Sequence, residues 1–484
     1  MKVTVRISRF DPACDEHPRY ETYFVDLEEG ARVLHLLHAV HDCDPTLSYR
    51  FCCGTGQCGS CAVRVNGTPV LACMEEAREG MTIEPLNLPV RKDLEVEMES
   101  FLRELSGIVP SIEASPPTRE DVETIKHLRD CIECLACVSI CPAMEVAKFT
   151  GPTAMRQALR LALDPRDRSE RIPRAIQDGL FTCTTCQQCW KVCPKEIEIP
   201  GKAIEKLRAM ANRQGLTLPR HREVEQVVRE TGRSVVKSGS SFLELVPEVI
   251  EPEGEPRATA GFFVGCMYDF RLSQHALDAM EVLRRNGIRV IIPHEQVCCG
   301  SPLIRTGQLD FLDHLKQRNI EAFTSRGIDT VVTMCAGCGS TLKNDYVTPF
   351  RVKDITELLT ELGIEEPARL PIDAVYHDPC HALRGQGIQQ PPRELLRKVV
   401  NLLEIPQKCC GAGGGTRSGC PEVSGALGTK RAEALYGTGA AIVISCCPFC
   451  EYHIGGFSKI PVKNITSVLL EAYREKDREK RRGR

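Results

Sequence analysis

Twenty-two of the chain's 27 cysteines fall into five sets, each spaced like a group of metal ligands. Cys53, Cys58, Cys61 and Cys73 form a C-x4-C-x2-C…C set, the plant-type [2Fe–2S] spacing. Two C-x2-C-x2-C-x3-C-P runs follow, one at Cys131, Cys134, Cys137 and Cys141, the other at Cys183, Cys186, Cys189 and Cys193. In paired bacterial ferredoxin runs the fourth cysteine of each ligates the other run's cluster. One [4Fe–4S] is therefore assigned to Cys131, Cys134, Cys137 and Cys193, and the second to Cys141, Cys183, Cys186 and Cys189. The last two sets share a C…CC…C-x2-C pattern: Cys266, Cys298, Cys299, Cys335 and Cys338, then Cys380, Cys409, Cys410, Cys447 and Cys450. Soft thiolates in such numbers suit centres that transfer electrons.

Each set has a competing reading. The glycines of Cys53-Gly-Thr-Gly-Gln-Cys58 let a tight loop aim backbone N–H groups at sulfur, with a zinc site or a thiol loop as the alternative. Cys52 adjoins Cys53, but only Cys53 keeps the x4 spacing, and Cys14 and Cys43 read as packing residues. Pro142 and Pro194 close the two ferredoxin runs and set them apart from an isolated CxxC, which zinc also uses. Cys446 adjoins Cys447, which preserves the C-x2-C pair; a fold holding zinc or a single cluster is the alternative for these last sets. His294, His377, His381 and His453 fall near the same cysteines, where one could supply a proton to a departing thiolate, against a structural role for each. Arg271, Arg305, Lys343, Arg384 and Arg417 are candidates for holding an anionic substrate, against plain solvation. GAGGG after Cys410 lacks the GxGxxG register and reads as close backbone packing around a cluster.

The elements that must carry these cysteines divide the chain into a multidomain α+β protein. At 484 residues it is long enough for about three domains. A net charge of -3 gives no electrostatic case for nucleic acid, and no apolar run is long enough to span a bilayer, so a membrane partner is not expected. The opening MKVTVRISRF alternates like a strand and lacks the apolar core of a signal peptide. A cytoplasmic location is expected, where cysteines serve as ligands rather than disulfides.

Residues 1–95 read as a β-rich [2Fe–2S] domain of β-grasp type: MKVTVRI and TYFVDL pair, RVLHLLHAVHD is a helix, and Asn66–Gly67 turns a hairpin. Helical periodicity begins at Leu94, and residues 96–210 read as an all-helical domain for two [4Fe–4S] clusters. Residues 211–258, with charged helical pieces and a Pro/Glu/Gly-rich end, read as a helical linker. Residues 259–484 hold an internal duplication, with copies at about 259–368 and 369–484. GFFVGCMYD parallels DAVYHDPCH, EQVCCGSP parallels PQKCCGAGG, VVTMCAGC parallels IVISCCPFC, and VKDITELL parallels VKNITSVL. Strand-like runs alternate with helical ones, as two α/β units require.

Residues 1–205, through SYRFCCGTGQCGSCAVRVNGTPVLAC, LPVRKDLEVEMESFL and KFTGPTAMRQALRLALDPRDR, resemble the iron–sulfur subunit of succinate dehydrogenase and fumarate reductase. That resemblance implies a flavoprotein partner carrying FAD and the dicarboxylate site. Quinone-linked members of that family place an aromatic after the first run and a His after the first cysteine of the second. This chain has Ala143, Met144, Glu145 and Val146 at the first place and Thr184 at the second, and Cys186 fills a position whose loss gives [3Fe–4S]. The two C-terminal sets resemble the duplicated CCG repeat of heterodisulfide reductase, in which each complete set holds a noncubane [4Fe–4S] cluster and the pair acts on a disulfide.

The combination resembles the iron–sulfur subunits of the thiol:fumarate reductases of methanogenic archaea. It implies one [2Fe–2S], two [4Fe–4S] and two noncubane [4Fe–4S] clusters, with FAD confined to the partner. It further implies coenzyme M and coenzyme B thiols as electron donors and fumarate as acceptor. Two rival readings are a CCG module that docks to a membrane or feeds quinone, and a structural CCG relay that only contacts a partner protein.

Overall fold

The computed structural model describes residues 1–113 and 116–482, which form two units. Met1–Leu180 with Gln187–Leu207 make the first, and Phe181–Cys186 with Arg208–Arg484 make the second.

In the first unit, strands β1 (Lys2–Arg9) and β2 (Arg19–Asp26) pair antiparallel. β1 turns Val3, Val5 and Ile7 inward, as its alternation predicts. The helix Val33–Cys43 buries Val33, Leu36, Leu37 and Val40. β3 (Ala62–Val65) and β4 (Thr68–Leu71) form the expected hairpin, and Asn66 and Gly67 both take positive φ (49° and 78°), the backbone a two-residue turn needs to match strand twist. β5 (Met81–Glu84) completes a sheet of order β2-β1-β5-β3-β4. The helical periodicity read from Leu94 gives way to a short ribbon, β6 (Val90–Lys92) with β7 (Glu95–Val96), because Leu94 and Val96 are buried; the helix starts at Glu99. Cys14 and Cys43, expected to pack, are both exposed, and Cys43 is the last residue of its helix. Among the described residues, the elements that follow in this unit are helices, apart from a single bridge between Ile112 and Asp167. Thr118 and Asp121 form a capping box for Arg119–Arg129, and Pro152 opens Pro152–Ala162.

The second unit contains two sheets of the same four-stranded parallel design, the first extended by an antiparallel edge strand. β8 (Val249–Ile250), β9 (Ala258–Phe263), β10 (Ile288–Ile291), β11 (Thr330–Thr333) and β12 (Arg351–Asp354) follow the order β12-β11-β9-β10-β8, with β8 antiparallel to β10. β13 (Asp373–Tyr376), β14 (Asn401–Leu403), β15 (Ile442–Ser445) and β16 (Val462–Asn464) follow the order β14-β13-β15-β16. Matched by position in their copies, the four strands of each sheet lie in the same order, which is the duplication in three dimensions. β11 and β15 are buried at every residue, as strands covered on both faces must be. The stretch read as a linker supplies β8 to the first sheet and buries Phe242 and Leu243 in the same core as both copies.

Candidate metal centres

In the first unit the C-x4-C loop wraps its own sulfurs. Cys53 Sγ accepts backbone N–H bonds from Thr55 (3.4 Å), Gln57 (3.3 Å) and Cys58 (3.4 Å), and Cys73 Sγ accepts one from Gly56 (3.3 Å). Those donors pull the Cys53 thiol down to about 6, toward the thiolate that binds metal. Burial pushes Cys61 up to about 12. Cys52 is exposed, and the charge of Cys58 raises its thiol.

Cys131, Cys134, Cys137 and Cys193 line one small closed hollow of about 20 Å³. Burial raises Cys134 to about 11 and Cys137 well above the usual thiol range. Both ferredoxin runs carry left-handed residues at the same two offsets. Glu133 (φ 54°) and Leu135 (φ 60°) match Thr185 (φ 51°) and Gln187 (φ 64°). None is glycine, so each costs about 1 kcal/mol or more and persists because the loop is held around its sulfurs. A Cβ at Gly59 would stand 2.8 Å from Cys134 Cβ and 2.9 Å from the Ile132 carbonyl. The C-x4-C loop therefore meets the first ferredoxin run at a contact only glycine permits. Of the remaining quartet, Cys141 and Cys189 are buried in the first unit, and Cys183 and Cys186 in the second.

In the second unit, topology puts the cysteines at the ends of strands. Each copy's chain leaves its first strand (β9 or β13), adds a neighbour on one side, then crosses to the other (β11 or β15). That reversal leaves a crevice at the carboxyl ends of the strands, where open α/β sheets bind ligands. Cys266 and Cys380 follow the first strands, and Cys335–Cys338 and Cys447–Cys450 follow the crossing strands. All ten cysteines of the two sets are buried. Cys299 is held well below the usual thiol range by hydrogen bonds from Cys298 and then Cys338. Cys447 is likewise held low by bonds from Cys335 and Cys450. Cys335 and Cys447 are the equivalent residues of the two copies, so the sets meet at matching positions. Cys446 bonds instead to Tyr376 Oη (3.0 Å).

Between the sets lies a cavity of about 490 Å³, in the range of organic-ligand sites. Cys266, Cys299 and Cys338 line it from one copy and Cys380, Cys410 and Cys450 from the other. Among the described residues, Arg271, Arg305 and Arg417 reach its wall and no aspartate or glutamate does. Lys343 pairs with Glu357 (2.7 Å), and Arg384 donates to the Cys186 carbonyl (2.7 Å). His381 lines the cavity with its Nδ1 3.6 Å from Cys380 Sγ. His453 bonds to the Ser424 carbonyl (3.0 Å), and His294 lies off the cavity wall.

Sequence reasoning missed the role of three residues here. Thr184, 2% exposed, meets Cys409 Sγ at 3.3 Å, and Cβ atoms at Gly413 and Gly414 would lie 2.8 Å and 2.6 Å from the carbonyls of Thr184 and Cys183. GAGGG is thus close packing, but against the ferredoxin loop. Arg208, fully buried, donates to the carbonyls of Cys183 (2.8 Å), Arg305 (2.6 Å) and Gly414 (2.8 Å), tying that loop to both copies. Arg431 is 3% exposed beside Cys410 and Cys450. Its Nε donates to His377 Nδ1 (3.0 Å) and its Nη1 to the Pro406 carbonyl (2.8 Å), while its Nη2 has no partner among the described residues. A legible signal existed for Arg431: Asn319 stands at the matching position of the first copy, sixteen residues before its C-x2-C.

The residues fit an anionic cluster. A buried guanidinium without a carboxylate is costly unless a negative group shares its site, and the hydrogen-bond partners of Arg431 are neutral. In the first copy Arg233, 8% exposed near Cys266, pairs with Asp269 (3.3 Å) through Nη2 and keeps an unpartnered Nη1. Thiolates carrying a negatively charged iron–sulfur group would answer both.

The chain matches models of the 2Fe-2S iron-sulfur cluster binding domain over residues 4–103, the 4Fe-4S dicluster domain over 127–197, and the cysteine-rich CCG domain over 260–343 and 374–455. It is 42% identical to a subunit of the fumarate reductase (CoM/CoB) of Methanothermobacter marburgensis, over 97% of this chain and 99% of that protein. It is 29% identical to a subunit of the dihydromethanophenazine:CoB–CoM heterodisulfide reductase of Methanosarcina barkeri, over 72% of this chain and 94% of that one. The succinate dehydrogenase iron–sulfur subunit of Paracoccus denitrificans is 34% identical, over 42% of this chain and 86% of its own length. The expected [2Fe–2S] ferredoxin, dicluster and duplicated CCG architecture is therefore present. Among the described residues no helix is long and apolar enough to cross a membrane.

Proposed function

The chain belongs to a family of iron–sulfur oxidoreductase subunits that includes this CoM/CoB fumarate reductase component, and from that premise we propose that it oxidises a pair of thiols and delivers their electrons to a flavoprotein partner that reduces fumarate. The thiols are coenzyme M and coenzyme B. Two thiols become one disulfide, releasing two electrons and two protons, and fumarate takes up two of each to become succinate.

Cys53, Cys58, Cys61 and Cys73 would hold a [2Fe–2S]. Cys131, Cys134, Cys137 and Cys193 would hold one [4Fe–4S], and Cys141, Cys183, Cys186 and Cys189 the other. Cys266, Cys298, Cys299, Cys335 and Cys338 would hold one noncubane [4Fe–4S], and Cys380, Cys409, Cys410, Cys447 and Cys450 the second. When bound, these groups supply one-electron transfer between a two-electron thiol pair and the flavin.

The observation that carries this reading is the cavity that both five-cysteine sets line. It lets one disulfide form with each of its sulfurs against one set, so neither is released as a radical. His381 stands where it can take a thiol proton. Thr184 and Cys409 bring the second copy against the ferredoxin loop. Gly59 brings the first run against the [2Fe–2S] loop, beside which Phe51 and Met74 are 55% and 53% exposed and offer a partner an apolar edge. The quinone reading has no room at Thr184, which is covered by Cys409 and the GAGGG backbone.

Cys299→Ala and Cys410→Ala test the division of roles in the purified complex. Thiol-driven fumarate reduction is expected to fall about a hundredfold or more, while fumarate reduction by reduced viologen persists. Equal loss of both activities, in variants that keep their other iron, would overturn it.

A further inference from the structure

The two five-cysteine sets are built alike, but the charge around them is not. Arg431, buried on Pro421–Tyr436 beside Cys410 and Cys450, has no carboxylate partner among the described residues. Its place in the first copy is taken by Asn319, a neutral side chain that donates to the Cys298 carbonyl (3.1 Å) and accepts from Val297 (2.8 Å). His377, which accepts from Arg431 Nε at 3.0 Å, stands where the first copy has Phe263. One ring nitrogen of His377 and the sulfurs of Cys410 and Cys450 all lie within 4.8 Å of one another. A guanidinium can only donate, so it fixes Nδ1 of His377 as an acceptor and leaves the ring N–H on Nε2.

The other charged groups near the two sets are answered or matched. In the first copy Arg233 pairs with Asp269 (3.3 Å) and Arg305 with Asp345 (2.8 Å). In the second, Arg393 forks onto Asp378 with two bonds of 2.8 Å and holds half-exposed Glu404 on its Nε (2.9 Å). Glu451, next to Cys450, is met by His275 (2.9 Å), Tyr268 Oη (2.9 Å) and Asn464 (2.7 Å). The remaining arginines of the cavity wall fall one to each copy, Arg271 and Arg417. Arg384, on the helix that Cys380 begins, adds a further cation to the second copy, where the first has Phe270. The excess of positive charge therefore belongs to the second set.

A positive charge in a low-dielectric site favours whichever redox state carries one more electron, and hydrogen bonds aimed at sulfur act in the same sense. We infer that Arg431, together with His377, raises the reduction potential of a centre held by Cys380, Cys409, Cys410, Cys447 and Cys450 above that of a centre held by Cys266, Cys298, Cys299, Cys335 and Cys338. An electron shared by the pair then rests on the second copy, whose Cys380 and Cys409 cluster with Cys186 of the ferredoxin loop. Neither Arg431 nor His377 lines the cavity, so both are positioning residues that act on the centre and not on a substrate. The two-electron balance of thiol oxidation is unchanged; Arg431 sets the order in which the two centres fill. This rests on the proposal that both sets hold a cluster.

The test is an anaerobic potentiometric titration of the cluster-loaded complex, followed by EPR. The natural complex is expected to show two one-electron steps from the CCG centres, at least tenfold apart in reduced-to-oxidised ratio, or about 59 mV. Arg431→Gln should lower the higher step by about tenfold and leave the lower one in place. Arg431→Lys, which keeps the charge, should hold most of the separation. A second measurement needs no variant. On full reduction, the signal that appeared first should be the one broadened by spin coupling to the group that Cys183 and Cys186 help to hold. Coincident steps, a separation that Arg431→Gln leaves intact, or broadening of the later signal overturns the inference. If Arg431→Gln loses its second-copy iron, the broadening still decides. Metal analysis separates the inference from the reading beneath it. About 18 iron atoms with coincident steps overturns the inference alone, whereas about 14 or 10 overturns the two-cluster reading and the inference with it.

Discussion

His221 shows what burial does to one residue at this site. It is 1% exposed, bonds Gly415 O at 2.9 Å through Nε2, has no partner at Nδ1 among the described residues, and is pushed down to about 4 by burial. A histidine lowered in the fold contributes stability above its unfolded value near 6.5 and loses it as pH falls toward 4. The gap corresponds to about 3 kcal/mol. Chemical denaturation from pH 7.5 to 4.5 should show His221→Gln losing less stability than the natural chain, because Gln keeps a donor for Gly415 and cannot be charged. Parallel loss in both would place the acid sensitivity elsewhere. Single residues were the least legible level of this sequence. Cysteine spacing grouped the five candidate ligand sets, since coordination constrains spacing. Arg208 sits in EKLRAMANR, where an arginine reads as solvated, and only the tertiary fold makes it a buried clamp.

At the scale of elements, the duplication provides its own control. Each copy's last strand ends in the residue that caps the following helix: Asp354 before Ile355–Leu362 and Asn464 before Ile465–Arg482. Both accept from the backbone and hydroxyl of the threonine two residues on, at 2.9 Å and 2.6 Å. Asn464 also uses its amide, donating to Tyr268 Oη and Glu451, whereas Asp354 Oδ2 is buried without a partner among the described residues and burial raises the group to about 6. A carboxyl raised in the fold helps fully below its unfolded value near 4 and ceases to help above 6. Asp354→Asn, the second copy's own solution, should therefore stabilise the protein by about 2–3 kcal/mol at pH 7.5 and by little at pH 4.5, read from denaturation midpoints. Elements were the most legible level. Alternation gave β1, the Asn-Gly pair gave the β3–β4 hairpin, and four repeated landmarks gave the matching sheets. Leu94–Val96 escaped because so short a strand has no period to read, and Phe242 and Leu243 because their core partners lie in distant sequence.

At the scale of the molecule, the clusters decide between readings. Five occupied sets correspond to about 18 iron atoms per chain, and about 10 would leave only the ferredoxin-type groups. Metal analysis of anaerobically purified protein should return the higher figure with little zinc. The lower figure would make the CCG half a relay. What spacing alone left open at this scale was which copy faces the ferredoxin loop, because contacts such as Thr184 with Cys409 span more than two hundred residues.

The meeting of Cys335 with Cys447 carries one more meaning. A contact in which a residue faces its own equivalent is what two identical chains form about a twofold axis. Two such chains can offer only the same surroundings on both sides of the axis. Joined end to end in one polypeptide, the halves need no longer match: Asn319 of one corresponds to Arg431 of the other, Phe263 to His377, and it is Cys409 of the second that packs on the ferredoxin loop. The proposed thiol site thereby gains a front and a back, and in that reading electrons gain a direction in which to leave.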